Sequence, residues 1–274
     1  MTIDIRPVES HAGYRAVERL QRQVWSLPDA DIVPDHMLLT IQKNGGLVLG
    51  AFSQDRLLGF VFGFLGLTSE GRLKHCSHMA AVVPEVQNRG LGFRLKLAQR
   101  DHVLAQGIDL ITWTYDPLEG RNARLNLRKL GAVCNTYLRD LYGEMRDGLN
   151  QGLASDRFRV DWQIGDDRVG QILGLGRRRL TISQALAGGA VLVNKPAADA
   201  EGLLQPAATN SIPVNQRLLI AIPQDFQRLK GGDLALARRW RAHTRALFEE
   251  AFAARYVAVD FLVGGRFNAY LLSR

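Results

Sequence analysis

Residues Ala81 to Lys96 read AVVPEVQNRGLGFRLK. The apolar run Met79 to Val83 predicts a short strand, and Pro84 ends it. A polar turn then closes on Gly90-Leu91-Gly92, and a helix-forming run follows. Strand, glycine turn and helix start form the order an anion site needs. The first turn of a helix carries backbone N–H groups without intrahelical partners, and the helix dipole there favours negative charge. Glycine lets the main chain come close to a phosphate because no Cβ intervenes. The stretch therefore predicts a pyrophosphate cradle. A plain strand–turn–helix corner would account for the glycines, but not for Gln87, Arg89 and the basic residues Arg94, Lys96 and Arg100 behind them.

Two common phosphate loops do not fit. A Walker A loop places Lys and then Ser or Thr after its last glycine, whereas Phe93 and Arg94 follow here. A dinucleotide fingerprint needs three spaced glycines after the first strand of a βαβ unit. Only two glycines are in register here, and the preceding strand is not the first.

The segment resembles the acyl-CoA loop of the GNAT N-acetyltransferase superfamily: Gln or Arg, two residues, Gly, one residue, then Gly or Ala. In this chain the loop is Gln87, Asn88, Arg89, Gly90, Leu91 and Gly92, after Val82-Val83-Pro84-Glu85. The resemblance implies that the loop amides bind the pyrophosphate of an acyl-coenzyme A. It also implies that pantetheine pairs with backbone of the preceding strand, at Ala81, Val82 and Val83, where two strands splay apart.

The layout outward from the loop agrees with that resemblance. A short strand, Ile3 to Pro7, precedes a helix from His11 to Trp25, capped by Ser10 and carrying Tyr14, Val17, Leu20 and Val24 at helical spacing. Pro34 at N1 opens a short helix, Asp35 to Lys43. Strands are predicted over Leu47–Ser53, Leu57–Leu67 and Lys74–Val83, then the loop helix Leu91–Gln106 and a strand Leu110–Tyr115. A helix Arg121–Leu130 and strands Thr136–Met145 and Phe158–Ile164 complete the set. The expected class is α/β with a mixed sheet in the GNAT fold, over residues 1–165. A Gly/Ala/Arg/Pro-rich connection spans 166–216, and 217–274 form a C-terminal α/β part. That part holds a strand Leu218–Ile222, a helix Asp233–Arg255 and strands Tyr256–Val263 and Asn268–Leu272. It reads either as an extension packing on the core or as a degenerate second GNAT-like half.

The chain has 274 residues, 46% hydrophobic and 23% charged, an ordinary globular balance. No apolar run reaches the roughly 20 residues of a membrane span, so no membrane partner is expected. The start, MTIDIRPVES, lacks the basic and apolar regions of a secretory signal. Cys76 and Cys134 have no metal-ligand spacing, so no metal is expected, and reduced thiols suit a cytoplasmic protein. The net charge of +8 is spread along the chain without a basic tail or aromatic–basic repeat, so no nucleic-acid partner is expected. It suits an anionic ligand or a solvated surface. A homodimer is allowed.

Acyl transfer needs the thioester held beside an amine and protons moved off nitrogen and onto sulfur. Positioning alone supplies roughly 7–11 kcal/mol and a general acid or base adds about 10²–10⁴-fold. Many family members carry a Tyr for the thiolate in a segment ending Tyr-x-Lys-x-Gly-Phe. Here that segment is Leu127-Arg128-Lys129-Leu130-Gly131-Ala132, with Leu127 at the Tyr position. Asn126, Tyr115 or water would have to replace it. Asn122 is either a pantetheine contact or a helix N-cap. Asp116, at the end of its strand, either binds or deprotonates the amine or caps the next helix. His78 and Glu85 are further candidate bases, with His75 behind them. Trp25, Trp113 and Phe62 read as core, while Arg177-Arg178-Arg179, or Arg157 and Arg159, read as a solvated face or as contacts to an acid or the 3′-phosphate.

Trp113–Leu118 (WTYDPL) and Asn126–Ala132 (NLRKLGA), with the C-terminal helix region, also resemble a bacterial subgroup of predicted acetyltransferases. Some of that subgroup are linked to enzymes acting on N-succinyl amino acids. The expected function is therefore acyl-CoA-dependent N-acyl transfer, acetyl or succinyl, to a primary amine of a small molecule such as an amino acid. The alternative is a non-catalytic acyl-CoA-binding regulatory module.

Overall fold

Ser10 starts the first helix, because its side chain accepts from Gly13 N–H at 3.1 Å. A computed structural model of the chain describes residues 2–26, 28–143, 145, 151–175, 180–206, 212–213 and 216–274. The Arg177-Arg178-Arg179 run lies outside the described residues.

The chain divides into two compact units, and the boundary falls inside a strand, between Trp113 and Thr114. Among the described residues, the first unit is 2–113 with 163–166. Its elements are β1 (Asp4–Pro7), α1 (His11–Trp25), α2 (Asp35–Lys43), β2 (Leu47–Ser53), β3 (Arg56–Leu67), β4 (Leu73–Val82), α3 (Leu91–Ala105) and the start of β5 (Leu110–Tyr115). The strands follow in order β1-β2-β3-β4-β5, antiparallel up to β4 and parallel between β4 and β5. β3 is buried from Leu57 to Gly63, since both of its faces are covered. Phe60 meets Trp25 of α1 on one face, and a Cβ at Gly59 would come within 3.3 Å of Leu95 of α3 on the other. Pro34 stands at the N-cap of α2 rather than at N1, with extended ψ.

The second unit is residues 114–145, 150–162 and 167–274. It continues with α4 (Gly120–Ala123), a π-helical turn (Arg124–Lys129), β6 (Val133–Leu138), β7 (Arg157–Gln163), α5 (Asp167–Leu175) and α6 (Ile182–Ala187). The short strands β8 (Val191–Leu192), β9 (Ala197–Ala198) and β10 (Leu204–Gln205) follow. β11 (Leu218–Pro223), α7 (Phe226–Gly232), α8 (Leu234–Ala253), β12 (Val257–Leu262) and β13 (Phe267–Ser273) end the chain. Strands run in order β7-β6-β12-β13-β11-β8, with β9 and β10 as a separate pair. The core is aromatic: the Phe158 ring lies 4.7 Å from Phe248, 5.3 Å from Phe252 and 5.4 Å from Tyr270. Edge contacts of this kind add to area burial.

Three further expectations change. The helix predicted over Arg121–Leu130 becomes π-helical after one α-turn, and Leu130 N–H bonds to Leu125 O. The strand predicted to Met145 stops at Leu138, because Asp140 turns to φ 42° and the backbone N–H of Asp140 goes to the Asp156 carboxylate. The 166–216 connection holds two helices, α5 and α6, the latter opened by a capping box of Thr181 and Gln184.

The order β-α-α-β-β-β-α-β that begins the chain is the one expected from the resemblance. No helix among the described residues is long and apolar enough to cross a membrane.

Candidate functional site

β4 and β5 form a fork. Their last paired residues are Cys76 and Thr112. Beyond them β4 runs on from Ser77 to Val82, paired among the described residues with β3 alone. The register shifts between Phe62–Met79 and Gly63–Ser77, which leaves His78 as the extra residue of a β-bulge. Val83 N–H bonds to Leu58 O on β3. Backbone groups alternate along a strand, so Ala81, like Val83, turns to β3, while Ala80 and Val82 turn to the open edge. Of the three predicted pantetheine contacts, Val82 alone thus faces the edge through its backbone, and Ala80 joins it. The Val82 carbonyl already accepts from Gln87 Nε2 at 2.9 Å, which ties the loop to the strand end.

The loop follows at once. Asn88 takes φ 61° and Gly90 φ 83°, and Gly90 is the N-cap of α3 without a side-chain hydrogen bond. No acidic side chain stands in the first turn of α3. A Cβ at Gly90 would meet nothing within 4 Å, and one at Gly92 only Val82 Cγ2 at 4.0 Å. Packing does not require glycine at Gly92. Arg89 is exposed beside the loop. Leu91 is buried and anchors the helix start. These residues fit an acyl-CoA pyrophosphate: a positive helix end, exposed arginine and open glycine backbone.

Within the same unit, a cavity of about 380 Å³ lies beside the bulge. Its walls include Ile32, Val33, Met37, Phe62, Phe64 and His78. The His78 ring meets Phe62 and Phe64, each with centroids 5.9 Å away, and loss of water on that side lowers its pKa. Phe62, read as core, serves as both core and cavity wall. Glu85 is held in an exposed ion pair with Arg56 at 3.2 Å. His75 is fully buried, and burial with the nearby Lys96 lowers its pKa to about 4. Lys96, expected in a basic face with Arg94 and Arg100, points into the core and is 4% exposed.

In the second unit, Asp116 is engaged on both carboxylate oxygens. Arg241 donates through Nη1 at 2.8 Å and through Nη2, and Leu118 N–H donates at 2.8 Å. Burial works against the Arg241 charge, but the Asp116 carboxylate outweighs it and raises the guanidinium pKa. Tyr115 is buried with its hydroxyl 3.1 Å from Tyr270, and burial raises its pKa. Leu127 is fully buried and Asn126 is 4% exposed, both in the π-helical turn. Asn122 is exposed inside α4, whose N-cap is Glu119, so Asn122 caps no helix. Arg157 is 6% exposed and donates to Asp156 O, and Arg159 pairs with Asp161 at 3.4 Å. Cys76 and Cys134 are free thiols. Among the described residues, no group of His, Cys, Asp and Glu is placed to hold a metal ion.

No protein-family model and no curated protein matches the chain. Similar solved structures include a GNAT-family acetyltransferase from Streptococcus pneumoniae, at 15% identity and TM-score 0.48, over 58% of this chain and 98% of that one. An N-acetyltransferase from Staphylococcus aureus Mu50 has 13% identity and TM-score 0.48, over 60% of this chain and 99% of that one. The ribosomal-protein-S18-alanine N-acetyltransferase from Escherichia coli has 15% identity and TM-score 0.47, over 60% and 94%.

Proposed function

We propose that the chain is an acyl-CoA-dependent N-acyltransferase of the GNAT superfamily, with acetyl-CoA or succinyl-CoA as donor and the primary amine of a small molecule, such as an amino acid, as acceptor. The observation that carries this reading is the β4–β5 fork, whose longer arm runs directly into the Gln87–Gly92 loop at the N-terminus of α3.

Acyl-CoA brings the thioester. The chain's own residues hold it and receive the acceptor. Backbone amides of Gln87 to Gly92 take the pyrophosphate, and exposed Arg89 adds charge. Ala80 and Val82 offer backbone groups to the pantetheine arm along the open edge, with Ala81 and Val83 holding that edge to β3. His78 lines the cavity from the bulge, with its pKa lowered by the apolar flank, and accepts the amine proton as nitrogen bonds the acyl carbon and the C–S bond breaks; the leaving thiolate takes its proton from water. The apolar cavity wall takes the carbon part of the acceptor. Asp116, paired with Arg241, orients the segment after β5 rather than shuttling protons. Asn122 and Asn126 remain proposed contacts on the α4 side, and the protein acts as a cytoplasmic enzyme on its own or as a homodimer.

One pair of observations favours the non-catalytic acyl-CoA module. Leu127 is buried and holds the sequence position at which the resemblance implies a Tyr, and Asp116 is tied to Arg241. Thiol release from acetyl-CoA and succinyl-CoA, measured with a panel of amino acids and polyamines, decides between the two. Release dependent on an amine supports the enzyme. Binding of coenzyme A without release supports the module, and no binding at all overturns both.

A further inference from the structure

Lys96 sits where the fork opens. Its Nζ donates to Ser77 Oγ at 3.0 Å and to Gln99 Oε1 at 2.8 Å, and lies 3.7 Å from the centre of the Trp113 ring. Ser77 follows the last β4 residue paired with β5, and Trp113 follows the last β5 residue paired with β4. One side chain therefore touches both arms at their point of separation. Gln99 carries the contact on to His75, with Nε2 to Nε2 at 3.1 Å.

A lysine is an unfavourable choice at this place. Its 4% exposure removes water from the ammonium, and burial lowers its pKa to about 7. His75 on β4, which feels the charges of both Lys96 and His102, is also held toward its neutral form by burial, as is His102 itself. Leu or Met would fill the same position on α3 without that desolvation. Residues that cost stability persist where function needs them.

We propose that Lys96 is a positioning residue that sets the width of the β4–β5 fork, holding Ser77 on one arm and the Trp113 ring on the other, so that the acyl-pantetheine arm meets an edge of fixed geometry. The inference rests on the acyl-transfer reading. Ser77 also precedes the bulged His78 directly, so the same contact fixes where the imidazole stands.

The test compares wild type with Lys96→Met and Ser77→Ala. Thermal unfolding, coenzyme A binding, and kcat and KM for acetyl-CoA are measured with the best acceptor of the amine panel. Lys96→Met is expected to unfold no earlier than wild type and to bind coenzyme A within about threefold, because the pyrophosphate loop is intact. Its kcat is expected to fall by about tenfold to a hundredfold, the effect of a small misplacement of reacting groups. Ser77→Ala is expected to lower kcat in the same direction by less. Unchanged kcat in Lys96→Met overturns the inference. So does a parallel loss of unfolding temperature, coenzyme A binding and rate, which marks a purely structural role. If Lys96→Met does not fold, unchanged kcat in Ser77→Ala overturns it. A wild-type protein that releases no thiol overturns the acyl-transfer reading and this inference together, whereas active wild type with a fully active Lys96→Met overturns this inference alone.

Discussion

Asp116 and Arg241 stand 125 positions apart and form a two-pronged ion pair, with side chains 11% and 4% exposed. A buried pair of this kind gains little over well-packed apolar residues, but breaking it leaves a stranded charge. Asp116→Ala is therefore expected to lower unfolding free energy by about 3–5 kcal/mol, as read from urea denaturation. The double variant Asp116→Leu with Arg241→Met is expected to recover most of that loss. A near-neutral single variant would remove the pair from any account of stability.

Gly92 separates ligand binding from folding. Its missing Cβ leaves open space rather than relieving a clash. Gly92→Ala is expected to keep or raise stability, by up to about 1 kcal/mol from helix propensity. On the proposed reading, coenzyme A affinity is expected to fall, since the added methyl would stand at the proposed pyrophosphate site. Calorimetric titration with coenzyme A beside thermal unfolding checks both signs. Unaltered affinity would place the phosphate elsewhere.

His78 carries a pH signature. Its pKa lies below the usual value near 6.5 because Phe62 and Phe64 exclude water from one side. A base works in its neutral form, so the rate is expected to hold at neutral pH and to fall as acidity passes through the folded-state pKa. His78→Gln should lose about 10²–10⁴-fold in kcat and flatten that acid limb. A variant with the wild-type profile would remove His78 from the chemistry.

Lys96 carries a second pH signature, in stability. The folded chain gives up this proton near pH 7, whereas the unfolded chain keeps it to about 10.4. Between those limits the unfolded state binds more protons, so stability rises with pH, by at most about 5 kcal/mol from this group. Below pH 7 both states are protonated and the contribution is flat. The rise is expected to vanish in Lys96→Met, which denaturant melts at pH 6.5, 8 and 9.5 would reveal. Equal slopes in both proteins would contradict it.

Local signals made much of the fold legible. Ser10 and the spacing of Tyr14, Val17 and Leu20 fixed α1 at His11–Trp25, and all three side chains are buried as their period requires. The turn at Gln87–Gly92 was legible because Pro84 ends the strand and Gly90 takes φ 83° at the N-cap of α3. The fork was legible only through the resemblance, since a β-bulge at His78 leaves no compositional mark. Lys96 was hidden for another reason: a lysine on a mixed helix face reads as solvated, and only the partners Ser77, Gln99 and Trp113, brought together by the fold, show that it is buried. The change from α- to π-helix after Ala123 lies in backbone hydrogen bonding that side-chain identity does not encode. The signal for α6 was present in Thr181 and Gln184, a capping box inside a stretch whose composition suggested only a connection.

The aromatic core around Phe158 has a consequence for how this polypeptide can be cut and inherited. β7 lays Phe158 against Phe248, Phe252 and Tyr270, and β6 meets β12 at Cys134 and Ala258. A gene trimmed after residue 165 would encode β6 and β7 with that ring cluster stripped of its cover and a strand edge laid bare, an aggregation hazard. The final hundred residues are thus no detachable appendage.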